Sequence, residues 1–81
     1  MEEFFENELA KKFEDMIENN EELYFDTEEY EDIIVYYLEL GDISYAETAT
    51  KYALKLHPNS LELKTKQLEV FLELERYVRA K

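Results

Sequence analysis

One glycine and one proline interrupt an otherwise continuous series of helical apolar patterns. Gly41 precedes Asp42, and a glycine fits the left-handed conformation that ends many helices. His57 precedes Pro58, and a residue before proline is biased out of the helical region. Because turn residues are so few, the sequence predicts an all-α fold with short loops and antiparallel neighbours. About four helices are predicted, over roughly 3–20, 27–40, 43–56 and 60–77.

Capping and apolar spacing define the first two helices. Asp26 and Glu29 have the spacing of a capping box, and Phe25 with Tyr30 has that of a hydrophobic staple. Residues at spacings of three and four share a helix face. In the first helix they are Phe5, Leu9, Phe13, Met16 and Ile17. In the second they are Tyr30, Ile33, Ile34, Tyr37 and Leu40.

The fourth helix is predicted to begin at an Asn59 cap with Glu62 as its reciprocal partner. Its apolar residues are Leu61, Leu68, Phe71, Leu72 and Leu74. Because no later helix of this sequence covers them, we expect an exposed apolar surface at that end. Such a surface favours a homodimer, or an exchange of helices between chains, through the 60–77 helix.

The net charge of −12 lies entirely in the first part of the chain. Residues 1–32 hold fourteen acidic residues and two lysines, whereas residues 33–81 hold seven charges of each sign. This field repels nucleic acid and anionic membranes and favours basic partners. The acidic start does not fit a signal peptide, and no apolar run approaches the ~20 residues of a membrane span. We therefore expect a cytoplasmic protein with neither a nucleic-acid nor a membrane partner.

Chemistry-bearing residues are scarce. Cysteine is absent, and His57 is the one histidine. Paired acids such as Glu28-Glu29 lack the central glycine and alternating ligands of a calcium loop. We therefore predict no catalytic residue, no metal site and no cofactor, with His57 serving a structural role at a helix end.

The spacing of seven residues around the glycine and the proline is more specific. They are Tyr30, Ile33, Tyr37, Gly41, Ala46, Ala53 and Pro58. Because these seven residues match the family's pattern, the span 27–60 resembles one complete tetratricopeptide repeat, a helix–turn–helix unit of 34 residues. Residues 61–81 resemble the first helix and turn of a second, truncated repeat, and residues 1–26 resemble a capping helix and loop. Ile34, Thr50, Gln67 and Glu75 depart from the family's pattern.

The resemblance implies a non-enzymatic interaction scaffold, in which the first helix of each pair lines a groove for a peptide or partner helix. Carried onto matching positions, the partner-binding residues are Glu28, Glu31, Asp32, Val35, Leu38, Glu39, Lys66, Glu69 and Leu72. Members of the family that grip carboxylate tails use Lys and Asn in this groove, where this chain has Glu31 and Val35. A basic or apolar partner is therefore expected.

Tyr36 lies beside this predicted groove at an exposed helical angle. Exposed tyrosines are enriched in binding hot spots, so Tyr36 with Val35 and Leu38 is a candidate contact cluster. Ordinary packing against the first helix is an equally valid interpretation.

A second class of protein has a similar size and charge. Acyl carrier proteins are acidic, four-helical, and modified on the serine of an Asp-Ser-Leu motif, which Asn59-Ser60-Leu61 resembles. Here the motif begins with asparagine, and only one predicted helix follows Ser60. An acidic carrier-like domain modified on Ser60 is thus the alternative hypothesis to the interaction scaffold.

Overall fold

The computed structural model describes residues 7–80, and this part of the chain folds into four α-helices without a β-strand. The helices are α1 (Glu8–Glu18), α2 (Thr27–Leu40), α3 (Ile43–Leu56) and α4 (Leu61–Ala80). The predicted all-α fold is thereby confirmed, and the bounds of α2 and α3 agree with the sequence prediction. Within the described residues α1 is shorter than the predicted 3–20, because Asn7 is its extended cap and Glu18 its last residue. Helix α4 continues to Ala80, three residues beyond its predicted end. Phe5 and the rest of residues 1–6 lie outside the described residues, as does Lys81.

The start of α2 is fixed by the predicted capping box. The Asp26 carboxylate accepts from the Glu29 amide at 2.8 Å, and Glu29 Oε1 accepts from the Asp26 amide at 3.0 Å. Phe25 and Tyr30 complete a hydrophobic staple, since their ring centroids lie 5.3 Å apart. Local sequence alone therefore determines where this helix begins.

The turn between α2 and α3 takes only two residues. Gly41 adopts the left-handed conformation at φ 83°, and its amide donates to the Leu38 carbonyl. Asp42 caps α3 by accepting from the Tyr45 amide at 3.2 Å. Asn20, at φ 56°, takes the same left-handed conformation after α1. Gly41 and Asp42 end α2 and begin α3 where the sequence predicts.

Ser60, rather than Asn59, caps α4. Ser60 Oγ accepts from the Leu63 amide at 3.2 Å and contacts Glu62 Oε1 at 3.3 Å. The prediction of an Asn59 cap is wrong by one position, because Leu61 is already the first helical residue and the cap directly precedes it.

The core is centred on Phe13 of α1, which is fully buried. Its ring makes edge-on contacts with four other aromatic rings at centroid distances of 5.6–6.3 Å. Those partners are Phe25, Tyr30, Tyr45 and Tyr52. They come from the α1–α2 loop, α2 and α3, so one side chain of α1 ties together three other parts of the chain.

The most extensive contact between two helices is that of α2 with α3. Ala46, Ala49 and Ala53 are all completely buried, and such small side chains let a neighbouring helix approach closely. Thr50 is buried beside them and donates its hydroxyl to the Glu47 carbonyl at 2.7 Å. Tyr52 is 41% exposed, and its ring packs edge-on against Phe13 at 5.6 Å.

Helix α4 packs against both α2 and α3. It buries Leu63 and Val70 fully and Leu74 partly. Leu61, Leu68, Phe71 and Leu72 are exposed, which agrees with the apolar surface expected at this end, although Leu74 is not part of it. The sequence of α4 contains two apolar stripes, and the one that includes Leu63 and Val70 faces the rest of the molecule. None of the helices within residues 7–80 has the length and apolar character that crossing a membrane requires.

Candidate partner-binding surface

The outward side of α2 is a row of carboxylates. Its opposite side is buried through Tyr30, Ile33, Ile34 and Tyr37, which turns the remaining positions to solvent. Glu28, Asp32 and Glu39 are exposed, and Glu31 is half-buried. Within the described residues these four carboxylates form no ion pair, and α2 contains no basic residue. A concentrated, uncompensated negative field therefore runs along this helix.

The predicted binding residues divide between two clefts, one on each side of α2. The α1–α2 cleft, of about 440 Å³, brings together four of them with the start of α1. It is lined by Asn7, Glu8, Leu9, Asp32, Val35, Tyr36 and Glu39. Three of the seven side chains are acidic and none is basic. Half-buried Val35 and Tyr36 give this acidic cleft an apolar floor.

The α2–α4 cleft, of about 480 Å³, contains three more of the predicted residues. Its walls are Leu38, Glu69, Leu72, Glu73, Glu75, Arg76 and Arg79. Arg76 lies 3.1 Å from Glu73 and neutralises it, so the cleft carries both signs of charge. Leu38 and Leu72 supply its apolar part. This cleft offers no net electrostatic preference comparable to that of the α1–α2 cleft.

Glu28, Glu31 and Lys66 line neither cleft. Lys66 is only 24% exposed, and its Nζ lies 3.4 Å from Glu69 Oε1. It is thus engaged within α4. The structure therefore does not unite all ten predicted residues into one groove.

The candidate cluster of Tyr36, Val35 and Leu38 is also split. Tyr36 lines the α1–α2 cleft and Leu38 lines the α2–α4 cleft, with Val35 on the side of Tyr36. Tyr36 is half-buried rather than exposed, and its ring packs edge-on against Tyr37 at 5.2 Å. Its side chain can serve both packing and a ligand in the cleft.

Sequence reasoning missed several residues of these surfaces. Arg76 and Arg79 extend the row of Leu72 along α4 at intervals of four and seven, a signal that was present in the sequence. A third cleft of about 250 Å³ lies where the α1–α2 loop meets the end of α3. It includes Leu23, Tyr52 and Leu56, each about 40% exposed. Only the tertiary fold brings those three together.

The buried tyrosines hold α1 onto this framework. Tyr37 Oη donates to the Glu14 carboxylate and lies 3.4 Å from the Ala10 carbonyl. Burial, followed by the Glu14 hydrogen bond, raises the pKa of Tyr37. Burial also raises the pKa of Tyr30 to about 12. These hydroxyls therefore remain protonated and neutral, as structural groups do.

His57 and Ser60 both have structural contacts. His57 Nε2 lies 2.8 Å from the Phe25 carbonyl oxygen, to which it donates, and thereby ties the α1–α2 loop to the end of α3. The half-buried Ser60 hydroxyl caps α4. This capping role explains the serine without any attached group and does not favour a carrier site.

Among residues 7–80, no group of three or more His, Cys, Asp or Glu side chains is arranged to hold a metal ion. Comparisons with protein-family models, with curated proteins and with solved structures find nothing that matches this chain.

Proposed function

We propose that this protein is a non-enzymatic, cytoplasmic interaction module of the tetratricopeptide-repeat type, whose α1–α2 cleft binds a basic amphipathic helix or peptide. The repeat assignment is supported by the bounds of α2 and α3, the left-handed Gly41 and the buried Ala46–Ala53 ridge. It is also supported by α4, which packs on both helices of the preceding pair.

The choice of the α1–α2 cleft as the binding site rests on one observation. The α1–α2 cleft combines three acidic side chains, no basic side chain and an apolar floor. A helix that presents leucines to Val35 and Tyr36, with lysines on its flanks, complements this cleft in shape and charge. Nucleic acid and anionic membranes are repelled by the same field.

The proposal is tested with a fluorescein-labelled, helix-forming peptide of about 18 residues that has leucines on one face and lysines beside them. Fluorescence anisotropy should show saturable binding that weakens as salt is added, because exposed charges are screened. A matched peptide with every lysine replaced by glutamate should not bind.

Charge reversal locates the site. We expect Asp32→Lys combined with Glu39→Lys to weaken binding about tenfold, which corresponds to roughly 1.4 kcal/mol of binding free energy. The matched control is Glu21→Lys with Glu22→Lys, which changes the net charge equally on the exposed α1–α2 loop. Equal weakening by both pairs would show attraction to net charge alone and would contradict the proposed site.

Two single variants distinguish which of the two clefts binds the peptide. Tyr36→Ala should weaken the peptide, whereas Leu38→Ala, which alters the α2–α4 cleft, should leave its affinity unchanged. The opposite result would move the binding site to the other side of α2. Thermal melts of both variants check that the fold is retained.

A further inference from the structure

Six exposed residues of α4 form a continuous seam on the side away from the core. They recur at alternating intervals of three and four residues, the spacing of a coiled-coil interface. We call them the α4 seam: Leu61, Lys64, Leu68, Phe71, Glu75 and Val78. Its four apolar members are between 56% and 73% exposed. The seam extends over roughly 25 Å at 1.5 Å per residue.

The order of residues in the seam is self-complementary when it is read in opposite directions. Each member has a counterpart placed symmetrically about the midpoint between Glu69 and Val70. Leu61 corresponds to Val78 and Leu68 to Phe71, so apolar residues meet apolar residues. Lys64 corresponds to Glu75, so opposite charges meet in the layer between them.

A two-fold symmetric interface has this property, because residue i of one subunit meets residue j of the other and the reverse contact also forms. Two antiparallel α4 helices would bring Leu68 against the partner's Phe71 twice, at the centre. Lys64 would meet the partner's Glu75 twice, on either side. A parallel pair would instead place like charges together at both positions, which is unfavourable.

The charges of the seam are available for such contacts. Lys66 and Arg76, on other sides of α4, already pair with Glu69 and Glu73. Lys64 and Glu75 form no ion pair among the described residues. The positions flanking the seam bring only one further charge, that of Arg79; the others are Thr65, Gln67, Leu72 and Leu74. Antiparallel association therefore introduces no like-charge contact along the seam.

The surroundings of the seam leave room for a second helix. Between α3 and α4 lies an open cleft of about 270 Å³. It is lined by Glu47, Thr50, Lys51, Gln67, Leu68, Val70, Phe71 and Leu74. Two seam residues, Leu68 and Phe71, form one wall of this cleft. A helix laid along the seam would therefore also rest against α3.

We propose that this chain forms a two-fold symmetric dimer in which α4 pairs antiparallel with α4 of a second copy, with Leu68 against the partner's Phe71 and Lys64 against the partner's Glu75. This interface lies on a different face from the α1–α2 cleft. A result that contradicts the dimer therefore leaves the peptide-binding proposal unaffected, and the reverse also holds.

Charge-swap variants studied by sedimentation equilibrium test the pairing and its register. The wild-type chain should be a dimer that dissociates on dilution. Lys64→Glu alone places glutamates together at both charged layers, and Glu75→Lys alone places lysines there. Each should weaken self-association about tenfold, whereas the double variant, with the charges exchanged, should associate like the wild type.

An equimolar mixture of the two single variants gives the sharpest result. One subunit then carries glutamate at both positions and the other lysine at both, so a heterodimer should form at wild-type strength or above. Lys12→Glu, an equal charge change on exposed α1, is the control and should leave self-association unchanged.

A wild-type chain that stays monomeric at millimolar concentration would overturn the proposal. Single variants that self-associate like the wild type, or a mixture that forms no heterodimer, would overturn the antiparallel register. Because both substitutions are at exposed positions, circular dichroism should show unchanged helix content in every variant.

Discussion

The α2–α3 pair and α4 use apolar residues in opposite ways. Within the pair, Tyr30, Ile33, Ile34, Tyr37 and three alanines are buried, and a two-residue turn holds the helices together. In α4, a helix of 20 residues, Leu63 and Val70 are the only fully buried residues within the described side chains 61–79. Leu61, Leu68, Phe71, Leu72 and Val78 are all more than half exposed.

The difference separates the residues that fold this chain from those that are available for association. Removing buried apolar area costs both its transfer free energy and a cavity, whereas trimming an exposed side chain costs little of either. Pairs of identical residues, one on each side of this division, measure it directly.

The largest contrast is between two phenylalanines. Phe13→Ala removes the ring at the centre of four aromatic contacts and should lower the free energy of unfolding by about 3–5 kcal/mol. Phe71→Ala, at a ring that is 56% exposed, should change it by less than about 0.5 kcal/mol. Urea unfolding at low protein concentration, where association contributes nothing, measures both. An equal decrease in unfolding free energy for the two variants would contradict the distinction between the two regions.

Within α4, two leucines sharpen the same contrast. Leu63 is completely buried and Leu68 is 63% exposed. Leu63→Ala should cost about 2–5 kcal/mol in unfolding free energy and Leu68→Ala less than about 0.5 kcal/mol in the monomer. If Leu68→Ala proved the more damaging, α4 would pack through its Leu68 face rather than its Leu63 face.

Alkaline pH should unfold the protein through the α2–α3 region, where the buried tyrosines lie. Burial raises the pKa of Tyr30 to about 12 and also raises those of Tyr37 and Tyr45, whereas tyrosine in an unfolded chain titrates near ~10. The unfolded chain thus releases these hydroxyl protons at a lower pH than the folded chain does. Stability is fully present below about pH 10 and is lost as the pH rises toward about 12.

Helix content measured by circular dichroism, together with tyrosinate absorbance, follows this transition. Tyr30→Phe should make stability less dependent on pH between about 10 and 12. Tyrosinate signals from the buried residues that appear before any loss of helix would contradict the account.

The smallest predicted effect concerns the turn that joins α2 and α3. Gly41→Ala forces a side chain into a backbone at φ 83°, although nothing lies within 4 Å of the added Cβ. The cost is therefore conformational and should be about 1 kcal/mol in unfolding free energy. Gly41→Asn, which tolerates this conformation better, should recover part of it. A neutral Gly41→Ala would mean that the left-handed turn does not determine how the pair closes.

Sequence reasoning succeeded where the determining interactions are local. The Asp26–Glu29 capping box, the Gly41 turn and the end of α3 before Pro58 each depend on residues within a few positions. The buried face of α4, through Leu63 and Val70, could not be predicted in this way. Leu63 with Val70 and Leu68 with Phe71 give two competing stripes, and only packing against α2 and α3 selects between them.

The candidate site shows the same limit. The sequence identified the acidic outward side of α2, because helical periodicity fixes which residues share a face. It did not reveal that α1 and α4 flank opposite sides of α2, which separates Tyr36 from Leu38. The positions of neighbouring helices depend on contacts far apart in sequence.

Native-state hydrogen exchange at two protein concentrations tests the division between folding and association most directly. Amides of α2 and α3 should be equally protected at both concentrations, because their burial is complete within one chain. Amides between Lys64 and Val78 should exchange faster when the protein is dilute and become protected at high concentration. Protection of α4 that does not change with concentration would contradict the account, since its exposed seam would then have no partner.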